Sequence, residues 1–80
     1  MAEYQFTGYF LNEVLRKRPY IRKEWCTRVV ENPLKVEVQE NARVRFWGRV
    51  PGLKGRVLRV VTLADRVTIH NAFPDRGFKR

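Results

Sequence analysis

The stretch RVRFWGRV, residues 43–50, alternates between two kinds of side chain. One set is apolar or small: Val44, Phe46, Gly48 and Val50. The other set places three arginines around a tryptophan: Arg43, Arg45, Trp47 and Arg49. A period of two is typical of a β-strand with one buried face. The segment therefore predicts a sheet with an apolar face and a cationic face.

Three further stretches extend this pattern on both sides. LKVEVQ (34–39) precedes it, and RVLRVVTL (56–63) and RVTIHNAF (66–73) follow. Short turn signals separate the four, namely Glu40-Asn41, Pro51-Gly52 and Ala64-Asp65. In the last stretch, strict alternation places Ile69 and Phe73 toward the core and His70 and Ala72 on the opposite face.

The residues before Pro33 have a helical period instead. Phe6, Phe10 and Val14 recur at i, i+4 and i+8, which predicts a first helix that Pro19 ends. A second helix is expected over about residues 20–31, and Asn32-Pro33 stops it.

The predicted order of elements is therefore ααββββ. Helices followed by strands with short connections indicate an α+β fold. We expect a single small basic domain, residues 1–80, with two N-terminal helices packed on one face of a four-stranded antiparallel meander sheet.

Several function classes find no support in the composition. One cysteine and one histidine make a metal site improbable, and we expect no cofactor, because the chain has no glycine-rich phosphate loop and no nucleophile–base pair. The start, MAEYQFTGYF, lacks the pattern of a signal peptide, and the apolar runs are only a few residues long. We therefore expect a cytoplasmic protein that does not span a membrane.

Positive charge is abundant and unevenly placed. The net charge is +9, and residues 34–80 carry eleven Lys and Arg against four acidic residues. Such a balance favours polyanionic partners, nucleic acid first. Selection for solubility, or a coding bias toward arginine, would produce the same charge.

The cationic face, which we expect to be open or capped only by the C-terminal tail, supplies the candidate binding residues. Arginines pair with phosphates, and an exposed aromatic ring can stack on an unpaired RNA base. The candidates for nucleic-acid binding are Arg43, Arg45, Trp47, Arg49, Arg59, Arg76 and Lys79. The same alternation also describes a half-buried strand whose charged face is merely solvated.

His70 is the one side chain whose ordinary pKa lies near neutrality. Beside Arg59 and Arg45 it could exchange a proton with a ribose 2′-hydroxyl while the arginines stabilise charge on the phosphate. These three residues are the candidate catalytic set. A hydrogen-bonded histidine without a catalytic role is the alternative.

The segment ENPL (31–34), the strands RVRFWGRV and RVLRVVTL, and the basic tail resemble a family of small uncharacterised bacterial proteins. The pattern is similar to that of the BrnT and RelE-like ribonuclease toxins of toxin–antitoxin pairs, and it covers about residues 21–80. The resemblance implies a twisted sheet with helices, mRNA cleavage without a metal, and an antitoxin partner. Its functional residues would fall at Arg45, Arg59, His70 and Arg76. This chain departs from the pattern in having no histidine in the first helix.

Two functions follow as hypotheses. The first is an RNA-binding protein of ribonuclease-toxin type, either an active metal-independent endoribonuclease or a degenerate one. The second is a non-enzymatic module that docks an acidic partner such as an antitoxin. A homodimer through the sheet face or an edge strand is compatible with both.

Overall fold

The computed structural model describes residues 3–78 of the chain. This part contains five strands and two short helices. The strands are β1 (Gln5–Phe6), β2 (Lys35–Val38), β3 (Val44–Arg49), β4 (Val57–Thr62) and β5 (Thr68–Pro74). The helices are α1 (Leu15–Lys17), which continues from a π-helical turn (Phe10–Val14), and α2 (Lys23–Glu31). A 3₁₀ turn (Pro51–Leu53) connects β3 to β4.

The strands form one mixed sheet in the order β1-β5-β4-β3-β2. Strands β2 to β5 pair antiparallel with their neighbours in the sequence, whereas β1 runs parallel to β5. The expected four-stranded antiparallel meander is therefore wrong, because a fifth strand adds a parallel pair. The fold remains α+β, and its element order begins with a strand.

The added strand escaped the sequence pattern for a simple reason. Phe6 and Phe10 are spaced as on one helical face, yet Phe6 lies on β1 and only Phe10 lies in the helical segment. Their rings pack together, with centroids 5.2 Å apart. The Gln5 amide donates to the Val67 carbonyl, just before β5, and the Thr7 amide donates to the Ile69 carbonyl in β5. Both distances are 3.0 Å. Two residues are too few to show a period of two, so packing on β5 decides their conformation.

One hydrophobic core lies between the helices and one face of the sheet. The π-helical turn contributes Phe10 and Val14 to this core, and α2 contributes Cys26 and Val29. All four side chains are almost fully buried. The sheet side of the core consists of Val44, Phe46, Val50, Leu58, Val60, Ile69 and Ala72. The helix and the sheet approach closely at Gly48, where an added Cβ would lie 3.1 Å from a Val29 methyl group. Glycine therefore permits this helix–sheet packing.

A β-bulge changes the face assignment within β5. Val61 pairs with Asn71, but the next residue, Thr62, pairs with Ile69, so that His70 is the extra residue. An inserted residue shifts every later side chain to the other face. Ala72 is therefore buried in the core, and Phe73 lies on the opposite face, the reverse of strict alternation.

Three properties of the described residues concern thiol reactivity, metal binding and membrane crossing. Burial raises the pKa of the Cys26 thiol to about 12, so this thiol stays protonated and unreactive at neutral pH. Among residues 3–78, no three side chains of the metal-binding types His, Cys, Asp and Glu are grouped to hold a metal ion. No helix within the same residues has the length and the apolar character that crossing a membrane would require.

Candidate functional site

The face of the sheet opposite the helices carries a row of alternating cations and aromatic rings. The row crosses four strands in register, because Lys35 pairs with Trp47, Trp47 with Arg59, and Arg59 with Phe73. The Lys35 ammonium lies 5.5 Å from the Trp47 ring centroid, and the Arg59 guanidinium lies 5.7 Å from it. The same guanidinium lies 4.5 Å from the Phe73 ring. Cation–π attraction therefore contributes to the order of this face.

The C-terminal segment covers the middle of the row. Asp75 Oδ2 accepts a hydrogen bond from Trp47 Nε1 at 2.9 Å and forms an ion pair with Arg59 Nη2 at 3.1 Å. The Phe78 ring stacks on the Trp47 ring with centroids 5.8 Å apart. Trp47 is consequently only 6 % exposed. An RNA base could stack on this indole only after the segment had moved away.

A groove about 400 Å³ in volume lies on the same face, beside this covered row. We call it the arginine groove. Its charged and titratable lining residues are Arg43, Arg45, Arg59 and His70. Its other lining residues are Tyr9, Gln39, Asn41, Val61, Asn71 and Phe73. The three candidate catalytic residues of the sequence, Arg45, Arg59 and His70, therefore line one cavity.

Each arginine of the groove has a different set of partners. Arg45 Nη1 pairs with Glu37 Oε1 at 3.2 Å, and Arg59 is paired with Asp75. Arg59 Nε is buried without a hydrogen-bond partner among the described residues. The Arg43 side chain forms no ion pair or hydrogen bond within residues 3–78. Arg43 is thus the groove cation with the fewest competing contacts.

His70 is held in the groove by two residues at the start of the first helical segment, Thr7 and Tyr9. Its Nδ1 lies 3.0 Å from Thr7 Oγ1, which also accepts the Phe10 amide proton at 3.1 Å. The imidazole stacks on the Tyr9 ring with centroids 4.9 Å apart and planes at 26°. Burial, and then the positive charge of Arg43, lower the pKa of His70 below its ordinary value near 6.5. The imidazole is therefore mostly neutral at neutral pH.

The Thr7 contact determines what the other ring nitrogen can do. Where the Thr7 hydroxyl donates to Nδ1, Nε2 carries the proton and is a hydrogen-bond donor. Where Nδ1–H donates to Thr7, Nε2 is a proton acceptor. Nε2 has no hydrogen-bond partner among residues 3–78, so either state leaves it available to a ligand.

Of the other predicted binding residues, those within residues 3–78 do not line the groove. Arg49 and Arg76 line a second cavity of about 540 Å³, together with Asp75 and Phe78. Arg49 Nη1 donates to the Gly55 carbonyl at 3.4 Å. Trp47 is covered as described above, and Lys79 lies outside the described residues.

Comparison of the chain with protein-family models, with curated proteins and with solved structures found no match. The interpretation of the groove therefore depends on its own chemistry.

Sequence reasoning missed three contributors to this site. The predicted first helix includes Thr7 and Tyr9 but does not predict their contacts with His70, and strict alternation predicts Phe73 on the core face. The sequence did contain a signal for Thr7. Threonine is a favoured N-cap residue, and its side-chain oxygen commonly accepts the amide proton of the residue three positions later. No sequence signal placed the bulge that turns Phe73 toward Arg59.

Proposed function

We propose that this chain binds RNA through the arginine groove. The observation that carries the proposal is that Arg43, Arg45 and Arg59 converge with His70 on one concave surface. Guanidinium groups match phosphate oxygens in geometry and charge, and a neutral Nε2–H is a further donor to an anion. The net charge of +9 adds long-range attraction for a polyanion.

The groove also offers a surface for an unpaired base. Tyr9 is 45 % exposed and is held in place by its stacking on His70. A fixed aromatic ring beside cations is the combination that binds single-stranded nucleic acid without strong sequence preference. We therefore take single-stranded RNA as the ligand.

Binding is tested by fluorescence anisotropy with a labelled single-stranded RNA at several salt concentrations. If the three arginines neutralise three phosphates, log K should fall against log salt with a slope of about −2. Arg43→Gln should weaken binding about tenfold and reduce the steepness of that slope by about 0.7. The matched control is Arg28→Gln, which removes the same charge from the exposed side of α2.

Equal losses from Arg43→Gln and Arg28→Gln would show that only net charge matters and would reject the groove. Tight binding of an acidic peptide, without RNA binding, would instead favour a non-enzymatic module that docks an acidic partner such as an antitoxin. That result would reject the RNA proposal.

A second function, metal-independent RNA cleavage, is favoured by the anchoring of His70 through Thr7. His70 Nε2 would take the proton of a ribose 2′-hydroxyl, whose oxygen then attacks the adjacent phosphorus. The bond to the 5′-oxygen breaks, and that oxygen takes a proton from water, leaving a 2′,3′-cyclic phosphate and a 5′-hydroxyl. Arg45 and Arg59 would stabilise the charge on the phosphate oxygens during this step.

Cleavage is tested by incubating RNA with the wild-type chain and with His70→Gln, followed by analysis of the product ends. We expect cyclic phosphate ends from the wild type and at least a hundredfold loss in the variant. Because the pKa of His70 is lowered, the rate should stay constant down to a pH below about 6.5. Equal cleavage by both chains would remove His70 from the reaction, and no cleavage by either would leave RNA binding as the sole function.

A further inference from the structure

The strand β2 forms one edge of the sheet and is exposed along its whole length. Val36 is 40 % exposed and Val38 is 59 % exposed, although both lie on the helix-side face of the sheet next to Phe46 and Val44. The strand contains no proline and no bulge. Proline and bulges are two of the features by which natural edge strands avoid pairing, and β2 has neither. Its short length and the charge of Lys35 oppose pairing, so the partner strand has to match that charge.

The hydrogen-bonding groups that face outward from β2 can be assigned from its register. Gln39 donates its amide to the Arg43 carbonyl at 2.7 Å, so Gln39 points its backbone groups toward β3. In an antiparallel pair this direction alternates from residue to residue. Glu37 and Lys35 therefore also bond to β3, whereas the N–H and C=O groups of Val36 and Val38 point away from the sheet.

The side chains of β2 favour one particular partner. Lys35 and Glu37 flank Val36 on the face opposite the helices, and they carry opposite charges. A two-fold axis at Val36 would place Lys35 of each copy directly across from Glu37 of the other. The next register, centred on Glu37, would bring two carboxylates face to face. Opposite charges across antiparallel strands stabilise the pair and like charges destabilise it, so the pattern selects the first register.

We propose that β2 is a homodimer interface, in which two copies pair antiparallel about Val36 and extend the sheet from five strands to ten. Val36 of each copy exchanges two backbone hydrogen bonds with Val36 of the other. Val38 lies across from Leu34 of the second copy, which covers it with an apolar side chain. The Leu34 amide already donates to the Trp47 carbonyl at 2.6 Å, so at this pair only the Val38 amide gains a partner in the second copy. The other edge of the sheet, β1, has only two residues and offers a much shorter surface.

The interface is small, because a strand of four residues buries less area than a standard protein–protein interface. We therefore expect a dimer that dissociates on dilution. Sedimentation equilibrium of the full chain, from about 10 µM to about 1 mM, measures this association directly.

Charge reversal separates the proposed register from other modes of association. Lys35→Glu alone, or Glu37→Lys alone, replaces two attractive cross-strand pairs with two repulsive ones and should raise the dissociation constant at least about fourfold. The double variant Lys35→Glu/Glu37→Lys restores opposite charges across the axis and should restore part of the association, because it also removes the Glu37 carboxylate that pairs with Arg45. Circular dichroism of each variant checks that the fold is retained.

Amide hydrogen exchange gives an independent measurement on the unmodified chain. The Val36 and Val38 amides should exchange more slowly as the concentration rises, whereas the Glu37 amide, already bonded to β3, should not change. A wild-type chain that stays monomeric at about 1 mM would overturn the proposal. So would single and double variants that all associate equally, or Val36 and Val38 amides that do not respond to concentration.

Discussion

On the helix-covered face of the sheet, Leu58 and Ile69 are fully buried among apolar neighbours, whereas on the opposite face Trp47 is buried against charged groups. The first kind of burial needs only shape and apolar surface, and it does not depend on the ionisation of any group. The second needs an ion pair, an indole hydrogen bond and two cation–π contacts to be formed together. The first face therefore stabilises the fold through apolar burial, and the second holds polar groups in a defined arrangement.

The largest effect is expected from a cavity on the apolar face. Leu58→Ala should lower the free energy of unfolding by about 2–5 kcal/mol, because Leu58 is fully buried and its neighbours cannot fill the space. Urea unfolding followed by circular dichroism measures the loss. Val57→Ala, one residue away on the opposite face and partly exposed, should cost less. Equal losses at the two positions would mean that the faces do not differ as described.

Close packing of α2 on the same face gives the next effect. Gly48→Ala brings a methyl group within 3.1 and 3.2 Å of the Val29 side chain, and it should cost about 1–3 kcal/mol. The matched control is Gly77→Ala on the opposite face, where the nearest atom is Asp75 Oδ1 at 3.7 Å. An unchanged unfolding midpoint for Gly48→Ala would contradict the close approach of helix and sheet.

Removal of the carboxylate tests the charged face directly. Asp75→Ala leaves the buried indole N–H of Trp47 without its acceptor and Arg59 without its ion pair, and it should cost about 1–3 kcal/mol. Trp25→Phe leaves Trp47 as the single tryptophan of the chain. In that background the Trp47 fluorescence should shift to longer wavelength when Asp75 is replaced by alanine, because the ring becomes more exposed to solvent. Asp75→Asn keeps an acceptor and should cost less. A fluorescence spectrum unchanged by Asp75→Ala would contradict the covered position of Trp47.

Acid should weaken this face selectively. The Trp47 indole N–H, and then the charge of Arg59, hold the pKa of Asp75 below its ordinary value of 3.8. The unfolded chain therefore takes up this proton first, and the stabilisation present above about pH 4 is lost as the pH falls through the folded pKa. The difference in unfolding free energy between wild type and Asp75→Asn should shrink from pH 7 to pH 3. A constant difference over that range would contradict the assignment.

The smallest effect concerns His70. Because its pKa is lowered in the folded chain, the unfolded chain binds the proton more tightly, and stability should fall slightly as the pH decreases through about 6.5. An NMR titration should give a pKa below 6.5, and Arg43→Gln should raise it by removing a nearby positive charge. A titration unaffected by Arg43→Gln would separate these two residues and weaken the description of the groove.

Much of the apolar face could be predicted from the sequence. The alternation in residues 43–50 correctly placed Val44 and Phe46 toward the core, and the antiparallel order of the last four strands followed from short turns between them. The helix ahead of Pro33 was also expected, and it spans Lys23–Glu31. These features are local or periodic, so a single stretch of sequence contains the information that decides them.

The opposite face was harder to predict, because its arrangement depends on contacts between distant residues. Arg45, Arg59 and His70 were expected to lie near one another, and they line one groove. Trp47 was expected on a face that is either open or capped only by the C-terminal tail, and the C-terminal segment covers it. Tyr9 and Thr7 reach His70 only because β1 pairs with β5 across more than sixty residues of sequence.

The sequence by itself determined an α+β chain with a strongly cationic surface and a core face made of alternating valine, leucine, phenylalanine and isoleucine. Periodicity and charge are sums over neighbouring residues, so they can be read without coordinates. Only the tertiary structure decided that a two-residue N-terminal strand completes the sheet, that a bulge at His70 turns Phe73 toward Arg59, and that Asp75 lies on Trp47. Each of these depends on which backbone groups and side chains meet in space, and no local pattern of residue types contains that information.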